Sequence, residues 1–164
     1  MKQMRYAVLF WGALLAAAAV CAPAAAGSHE EIRLSDGQTV YVPGYSHIYS
    51  GNKEYPILLA VTISIRNTDP VRSILVDSVD YYDSQGKVVK AYVTTPVAVG
   101  PMGSIRYVVP ESDKAGGSGA NFVVRWKSSK PVNPPIIESI MISTKMQQGI
   151  SFTSRGHEIM EHHD

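Results

Sequence analysis

The stretch PILLAVTISIRNTDPVRSILVDSVDYYD, residues 56–83, decides the fold class. Its first half places an apolar residue at every second position: Ile57, Leu59, Val61, Ile63 and Ile65. Because successive side chains of a strand point to opposite faces, this two-residue period predicts a strand with one buried face. A turn sequence at 67–70 leads into a second β-branched and aromatic run, Ile74–Tyr82. Two such strands are not stable alone in water, so the rest of the chain must cover them.

The same pattern recurs along the chain between residues 38 and 155. Further strands are predicted at Thr39–Pro43, Lys87–Val93, Ser104–Val109, Asn121–Lys127 and Ile136–Thr144, with shorter ones at Val97–Val99 and Ile150–Thr153. No window shows a sustained helical spacing of apolar residues. The sequence therefore predicts an all-β fold over residues 38–155, an antiparallel β-sandwich of seven to eight strands in an immunoglobulin-like or Greek-key order.

Residues 1–26 have the pattern of a secretory signal peptide. Lys2 and Arg5 precede an apolar segment at 6–20, and small residues follow as far as Ala26. Cleavage after Ala26 is predicted, with Ala24 as the near alternative. An uncleaved anchor and a lipid-modified Cys21 stay open, although residues 18–20 invert the size pattern that lipidation prefers. We therefore expect a periplasmic or secreted protein without a transmembrane segment after cleavage, and a lipid anchor is disfavoured.

The segments that flank the sandwich are polar. Residues 27–37 are predicted to be a flexible lead-in, and residues 156–164 a disordered tail. The chain of 164 residues carries 15 Lys and Arg against 14 Asp and Glu, a net charge of +1. This balance argues against nucleic acid or an anionic membrane as a partner, because neither would be attracted electrostatically.

Consecutive strands of an antiparallel sandwich run in opposite directions, so the loops between them fall alternately at its two ends. Loops 44–55, 84–86, 110–120 and 145–149 are expected at one end, and loops 67–73, 94–103 and 128–135 at the other. The first end collects the polar and aromatic candidates for partner binding: Tyr45, His47, Tyr49, Ser118, Asn121, Gln147 and Gln148. Loop ends of rigid sandwiches often carry binding sites. The alternative is that these side chains only cap the core, while the glycines of 116–119 permit the turn.

The C-terminal residues raise the possibility of a metal site. If the tail became helical, His157 would align with Glu161, and Glu158 with His162. Zinc and copper accept such ligands, and His163 adds a further one. Since ligands in a disordered tail are not held in place, no metal or other cofactor is expected, and a metal-handling role is the alternative.

The glycine-rich loop does not predict catalysis. Ser118 lacks the G-x-S-x-G context of a nucleophile elbow, because Ala120 stands where glycine is needed. The chain shows no spacing typical of a nucleophile with its base or of paired catalytic carboxylates, so we expect no enzyme.

Six stretches together resemble one known family. They are VYVPGYSHIY (40–49), SIRNTDP (64–70), SVDYYD (78–83), GGSGANF (116–122), KPVNPPIIES (130–139) and QQGISFTSRG (147–156). They are similar to a bacterial family of exported domains of unknown function, many of them lipoproteins. The resemblance implies an envelope or secreted domain without an assigned activity. We therefore expect an exported binding or structural module that recognises another envelope protein through its loops or an edge strand.

Overall fold

The computed structural model describes residues 33–144 and 149–162, and these lie within one compact unit, Ile32–Asp164. The predictions for the signal peptide and for Cys21, Gln147, Gln148 and His163 lie outside the described residues. No helix in the part of the chain that the structure describes is long and apolar enough to cross a membrane.

The described residues form strands separated by turns and loops. The strands are β1 Ser35–Pro43, β2 His47–Tyr49, β3 Pro56–Leu58, β4 Ala60–Arg66, β5 Ile74–Tyr82, β6 Val88–Val93, β7 Val97–Val99, β8 Ser104–Val109, β9 Asn121–Val132, β10 Ile136–Ser143, β11 Ile150–Arg155 and β12 His157–Glu161.

Two antiparallel sheets pack face to face. We name as sheet A the strands in the order β12-β1-β9-β5-β6, with β7 paired to β5. Sheet B is four-stranded, in the order β11-β10-β4-β8, and β2 and β3 pair separately as a hairpin. The predicted all-β antiparallel sandwich is confirmed. The two strands of the deciding stretch lie in different sheets, so the turn at 67–70 carries the chain across the core.

The core lies between the inner faces of the two sheets. Val61, Ile63 and Ile65 of β4 are fully buried on one side. Phe122, Val124 and Trp126 of β9 face them from the other side and are at most 1% exposed. The two-residue period therefore predicts the inward side chains of both strands correctly. Burial of apolar area, worth about 25 cal/mol per Å², is the main term that stabilises this arrangement.

The predicted disordered tail is wrong for residues 157–161, which form β12 at the edge of sheet A and pair with β1. The segment looks like a tail because charged and His residues fill it and no apolar alternation survives. A register irregularity between Thr39 and Val40 leaves Ile159 without an opposite residue, so the side-chain period breaks inside the strand.

Two boundaries were also predicted wrongly. The lead-in ends before Ser35, because residues 35–37 already belong to β1. Gly37 lets β9 approach closely, since a Cβ there would lie 2.8 Å from the Trp126 carbonyl oxygen.

The loop expected at 128–135 is shorter, because β9 continues to Val132. Pro131 is tolerated because the pairing of β9 with β5 ends at Lys127, which leaves one side of the strand without a ladder.

The strand count also exceeds the seven to eight that were predicted. Three of the observed strands were not predicted as separate strands, namely β2 and β3 in the hairpin and the five-residue β12 at the edge. Strands of three residues carry too few positions for an apolar period to be visible.

Candidate functional site

Three of the loops assigned to the first end meet there through hydrogen bonds. The backbone N–H of Gly44 donates to the Ala120 carbonyl at 2.9 Å, and that of Ser46 to the Gly117 carbonyl at 3.1 Å. The Ser84 N–H donates to the Gly116 carbonyl at 2.9 Å. Loops 44–55, 84–86 and 110–120 are therefore grouped as predicted. The described residues do not include most of loop 145–149.

The glycine-rich loop packs directly on the core. A Cβ at Gly116 would collide with the Tyr81 hydroxyl, so no larger residue fits there. Burial, followed by the charge of Asp113 and by Tyr92, raises the pKa of Tyr81 to about 12. The phenol makes no hydrogen bond of normal geometry within the described chain, although the Ser46 hydroxyl lies near enough to offset part of that rise. This part of the end therefore forms a closely packed, hydrogen-bonded base.

The β2–β3 hairpin projects from this base. His47 lies opposite Leu58, and Tyr49 lies opposite Pro56. The turn that joins the strands contains Gly51 at φ +56°, a conformation that glycine adopts without strain. At the root, the Leu59 N–H donates to the Ser46 carbonyl at 3.0 Å, which ties the hairpin to the loop base.

The hairpin exposes aromatic side chains. Tyr49 is 49% exposed and Tyr55 is 68% exposed. The His47 ring stands edge-on to Tyr49, with centroids 5.3 Å apart, and its Nε2 lies 3.4 Å from the Tyr49 hydroxyl. Such rings combine apolar contact area with a polar tip, which suits them to recognition.

A groove of about 470 Å³ runs beside the hairpin. We define the hairpin groove by its lining residues: Ser50, Lys53, Tyr55, Pro56, Ile57, Leu58, Glu111 and Ser143. It combines apolar positions of β3 with a basic and an acidic side chain, and the Ser143 hydroxyl donates to Glu111 at 3.5 Å. This groove was not predicted from the sequence, because Tyr55 falls in the predicted loop 44–55 and Pro56 at the start of the following strand.

The predicted partner-binding residues that the structure describes are at this end but do not line the groove. Tyr45 packs on Phe152 with ring centroids 6.0 Å apart, so it faces β11. Asn121 begins β9 between Pro43 and Tyr82, and Ser118 lies in the glycine-rich loop. His47 and Tyr49 lie on the strand that pairs with the groove residues Pro56 and Leu58.

The second end is closed by buried polar side chains. The amide of Asn67, 2% exposed, donates to the carbonyls of Arg72, Val99 and Gly100 at 2.8, 3.1 and 3.0 Å. Asp69, 5% exposed, accepts from the backbone N–H groups of Val71 and Arg72. These hydrogen bonds lower the pKa of Asp69. Asn67 and Asp69 therefore hold the loops of this end together.

Those of the predicted metal ligands that lie in the described part of the chain are not brought together. β12 is extended, so the helical alignment of His157 with Glu161 does not form. His157 lies opposite Tyr41, while His162 Nε2 lies 2.9 Å from the Thr39 hydroxyl. No group of three or more His, Cys, Asp or Glu side chains able to hold a metal ion occurs within residues 33–144 and 149–162.

The same strand holds a carboxyl pair that the sequence analysis missed. The Gln38 amide donates to Glu158 at 2.8 Å and to Glu161 at 3.4 Å. A hydrogen bond with Glu161, followed by burial and the Glu161 charge, raises the pKa of Glu158. Burial opposes ionisation of Glu161, but hydrogen bonds from Ser35, Glu158 and Gln38 lower its pKa. The two carboxyls therefore share one proton more readily than separate ones would.

Comparisons with known proteins add the family and little else. The model of one family, described as a protein of unknown function (DUF3124), matches residues 37–159. The crystal structure of Thermotoga maritima 1070 is similar at 13% identity and a TM-score of 0.41, covering 73% of this chain and 92% of that chain. A search of curated proteins gave no match.

Proposed function

The chain belongs to DUF3124, a family of proteins of unknown function, and from that premise we propose that it is an exported, non-enzymatic recognition module of the bacterial cell envelope. Its partner is another envelope protein, bound at the hairpin groove and the adjacent β2 face. The observation that carries the proposal is the pair of exposed tyrosines, Tyr49 and Tyr55, on a hairpin held by a rigid base.

The hairpin has the composition of a binding surface. Large aromatic side chains with few rotatable bonds lose little entropy on binding and dominate the energetics of many interfaces. Tyr55 lines the groove together with Lys53, Glu111 and the apolar side chains of β3, so the groove combines apolar and charged groups as interfaces do. The fixed loops below it reduce the cost of ordering the surface.

Export rests on the N-terminal sequence. A charged start, an apolar segment and small residues before Ala26 are the features that the export machinery reads. Expression of the full chain, followed by fractionation and N-terminal sequencing, tests this part. Protein that starts at Gly27 in the periplasm or medium supports it, whereas cytoplasmic retention of the intact chain contradicts it.

Recognition is tested with the double variant Tyr49→Ala, Tyr55→Ala. A pull-down from envelope extract with the wild-type protein first identifies the partner. We then expect the double variant to bind that partner about tenfold more weakly or worse, because two anchoring rings are lost. Val71→Ala is the matched control, since Val71 is 74% exposed at the opposite end. Equal affinity of all three proteins, with intact folding, would refute the hairpin as the binding surface.

The alternative role, metal handling by the C-terminal histidines, needs a test that keeps β12 in place. The triple variant His157→Ala, His162→Ala, His163→Ala removes the ligands without deleting the strand. Zinc or copper at one equivalent in the wild type and absent from the triple variant would favour this alternative. Equal metal content of the two proteins would exclude it.

A further inference from the structure

The outer edge of β11 is an unprotected strand edge of the sandwich. β11 pairs with β10 at six consecutive positions, from Ile150 to Arg155, without a register shift. Its sequence, ISFTSR, contains no proline and no charge before Arg155. Regular edges of this kind expose backbone N–H and C=O groups that can pair with another strand.

The other edges of the two sheets carry protective features. The pairing of β6 with β5 contains two register irregularities, and β6 carries Lys90. β12 is bulged and bears Glu158 and Glu161. On β8, the Tyr92 hydroxyl from the opposite sheet donates to the Val108 carbonyl at 3.2 Å. Charges, bulges and covering side chains are the usual means of blocking edge pairing. Within the described residues, β11 has no bulge, no hydrogen bond reaches its outer backbone, and its single charge, Arg155, lies at the end of the strand.

The hydrogen bond at Gly156 identifies the backbone groups that point outward. The Gly156 N–H donates to the Ile137 carbonyl at 2.8 Å, so residue 156 is oriented toward β10. Orientation alternates along an antiparallel strand. Residues 154, 152 and 150 therefore also face β10, while Ser151, Thr153 and Arg155 direct their N–H and C=O groups away from the sheet. These three residues are exposed, and no hydrogen bond from the rest of the described chain reaches their backbone.

We propose that this edge is a self-association surface, on which β11 pairs antiparallel with β11 of a second copy of the chain. The two-fold axis passes beside Thr153, so that Thr153 of one copy lies opposite Thr153 of the other. Ser151 then lies opposite Arg155. Sheet B of one copy continues directly into sheet B of its partner.

The second copy fits because the edge is self-complementary. The outward residues are spaced evenly about Thr153, so every outward N–H meets a carbonyl of the partner. A Thr–Thr pair across strands is favourable, and the arginines lie opposite serines, not opposite each other. A two-fold contact uses the same surface on both copies and closes, which leaves no free β11 edge for further growth.

Thr153→Pro is the variant that tests the pairing. Proline removes the outward N–H at the axis but leaves the hydrogen bonds to β10, which run through the neighbouring residues. Sedimentation equilibrium of the purified full chain should show a concentration-dependent dimer for the wild type and for the control Thr153→Ala. Thr153→Pro should weaken dimerisation about tenfold or more, because one hydrogen bond per copy is lost at the axis. Its thermal unfolding should stay close to that of Thr153→Ala.

Thr153→Lys and hydrogen exchange keep the test decisive if the proline variant fails to fold. Lysine places like charges opposite each other at the axis and should also give a monomer. In the wild type, the amides of Ser151, Thr153 and Arg155 should gain protection as concentration rises, while those of Phe152 and Ser154 stay protected throughout. A wild-type monomer at every concentration, or a dimer that survives both Thr153→Pro and Thr153→Lys, would overturn the proposal.

Discussion

Asn67 shows how one side chain can organise an end of the molecule. Its side-chain amide donates hydrogen bonds to the carbonyls of Arg72 and Val99, and its Oδ1 accepts from the Asp69 N–H at 3.0 Å. We expect Asn67→Ala to lower the free energy of unfolding by about 2–4 kcal/mol, because buried carbonyls lose their donors. Asn67→Asp should be at least as damaging, since it keeps the shape and removes the donors. Urea denaturation measures both, and a loss below about 1 kcal/mol for either variant would contradict this role.

Glu158 gives the stability a pH dependence. Its pKa is raised above the ordinary value of 4.5, first by the hydrogen bond with Glu161 and then by burial. The folded state therefore holds this proton more tightly than the unfolded state. The contribution of this proton to the free energy of unfolding is complete below about pH 4.5 and is lost as pH rises through the pKa of Glu158 in the folded state. The lowered pKa of Glu161 acts below this window, because its contribution to stability is complete above about pH 4.5 and is lost as pH falls through the folded pKa.

Glu158→Gln separates the two contributions, because glutamine resembles the protonated acid and cannot ionise. We expect the variant to lose less stability than the wild type between about pH 4.5 and neutrality. Urea midpoints measured across this range provide the check. Glu138→Gln is the control, since Glu138 pairs with the half-exposed Arg66 at 3.5 Å outside the carboxyl pair. Parallel pH profiles for wild type and Glu158→Gln would rule out the shared proton.

At the scale of elements, a strand is predicted correctly where its own sequence shows the two-residue alternation of apolar residues. The inward residues of β4, β8 and β9 follow from alternation alone. β2 and β3 are too short to show a period. β12 could not be predicted because its place depends on distant residues, as the bond between Gln38 and Glu158 shows. A bulge at Ile159 also breaks the pattern that would identify it.

Gly156 is the point at which the chain crosses from sheet B to sheet A. A Cβ there would lie 2.6 Å from Val40 Cγ1 and 2.9 Å from the Ile137 carbonyl oxygen. We expect Gly156→Ala to cost about 1–3 kcal/mol and to raise hydrogen exchange in β12, because the crossing must shift. Gly100→Ala is the matched control, since nothing lies within 4 Å of that Cβ. Equal stability of the two variants would show that the crossing tolerates a side chain.

At the scale of the whole molecule, the sequence predicted which loops share an end but not the groove between them. Reversal at each strand is a rule of antiparallel topology, so the grouping needs no knowledge of strand order. The hairpin groove is lined by three segments that are far apart in the sequence and contain Tyr55, Glu111 and Ser143. Their relative positions do not follow from the sequence pattern. The exposed surface of Tyr55 becomes visible only when these segments are placed in space.

One edge of sheet A depends on β12, whose residues look dispensable in the sequence. β12 covers the outer edge of β1 and adds the bonds from Gln38 to the carboxyl pair. A chain that ends at His162 keeps all of these contacts and should match the full chain in stability. A chain that ends at Gly156 should lose about 2–4 kcal/mol, because several ladder hydrogen bonds worth ~1 kcal/mol each are removed.

Both truncated chains should be compared with the full chain by urea denaturation and by amide exchange of β1. The shorter chain should leave the β1 amides that face β12 unprotected, while the β4 amides in the other sheet remain protected. This difference follows because β1 keeps β9 on its other side, so the loss stays local to one edge of sheet A. If the chain ending at Gly156 is as stable as the one ending at His162, β12 contributes nothing to the fold.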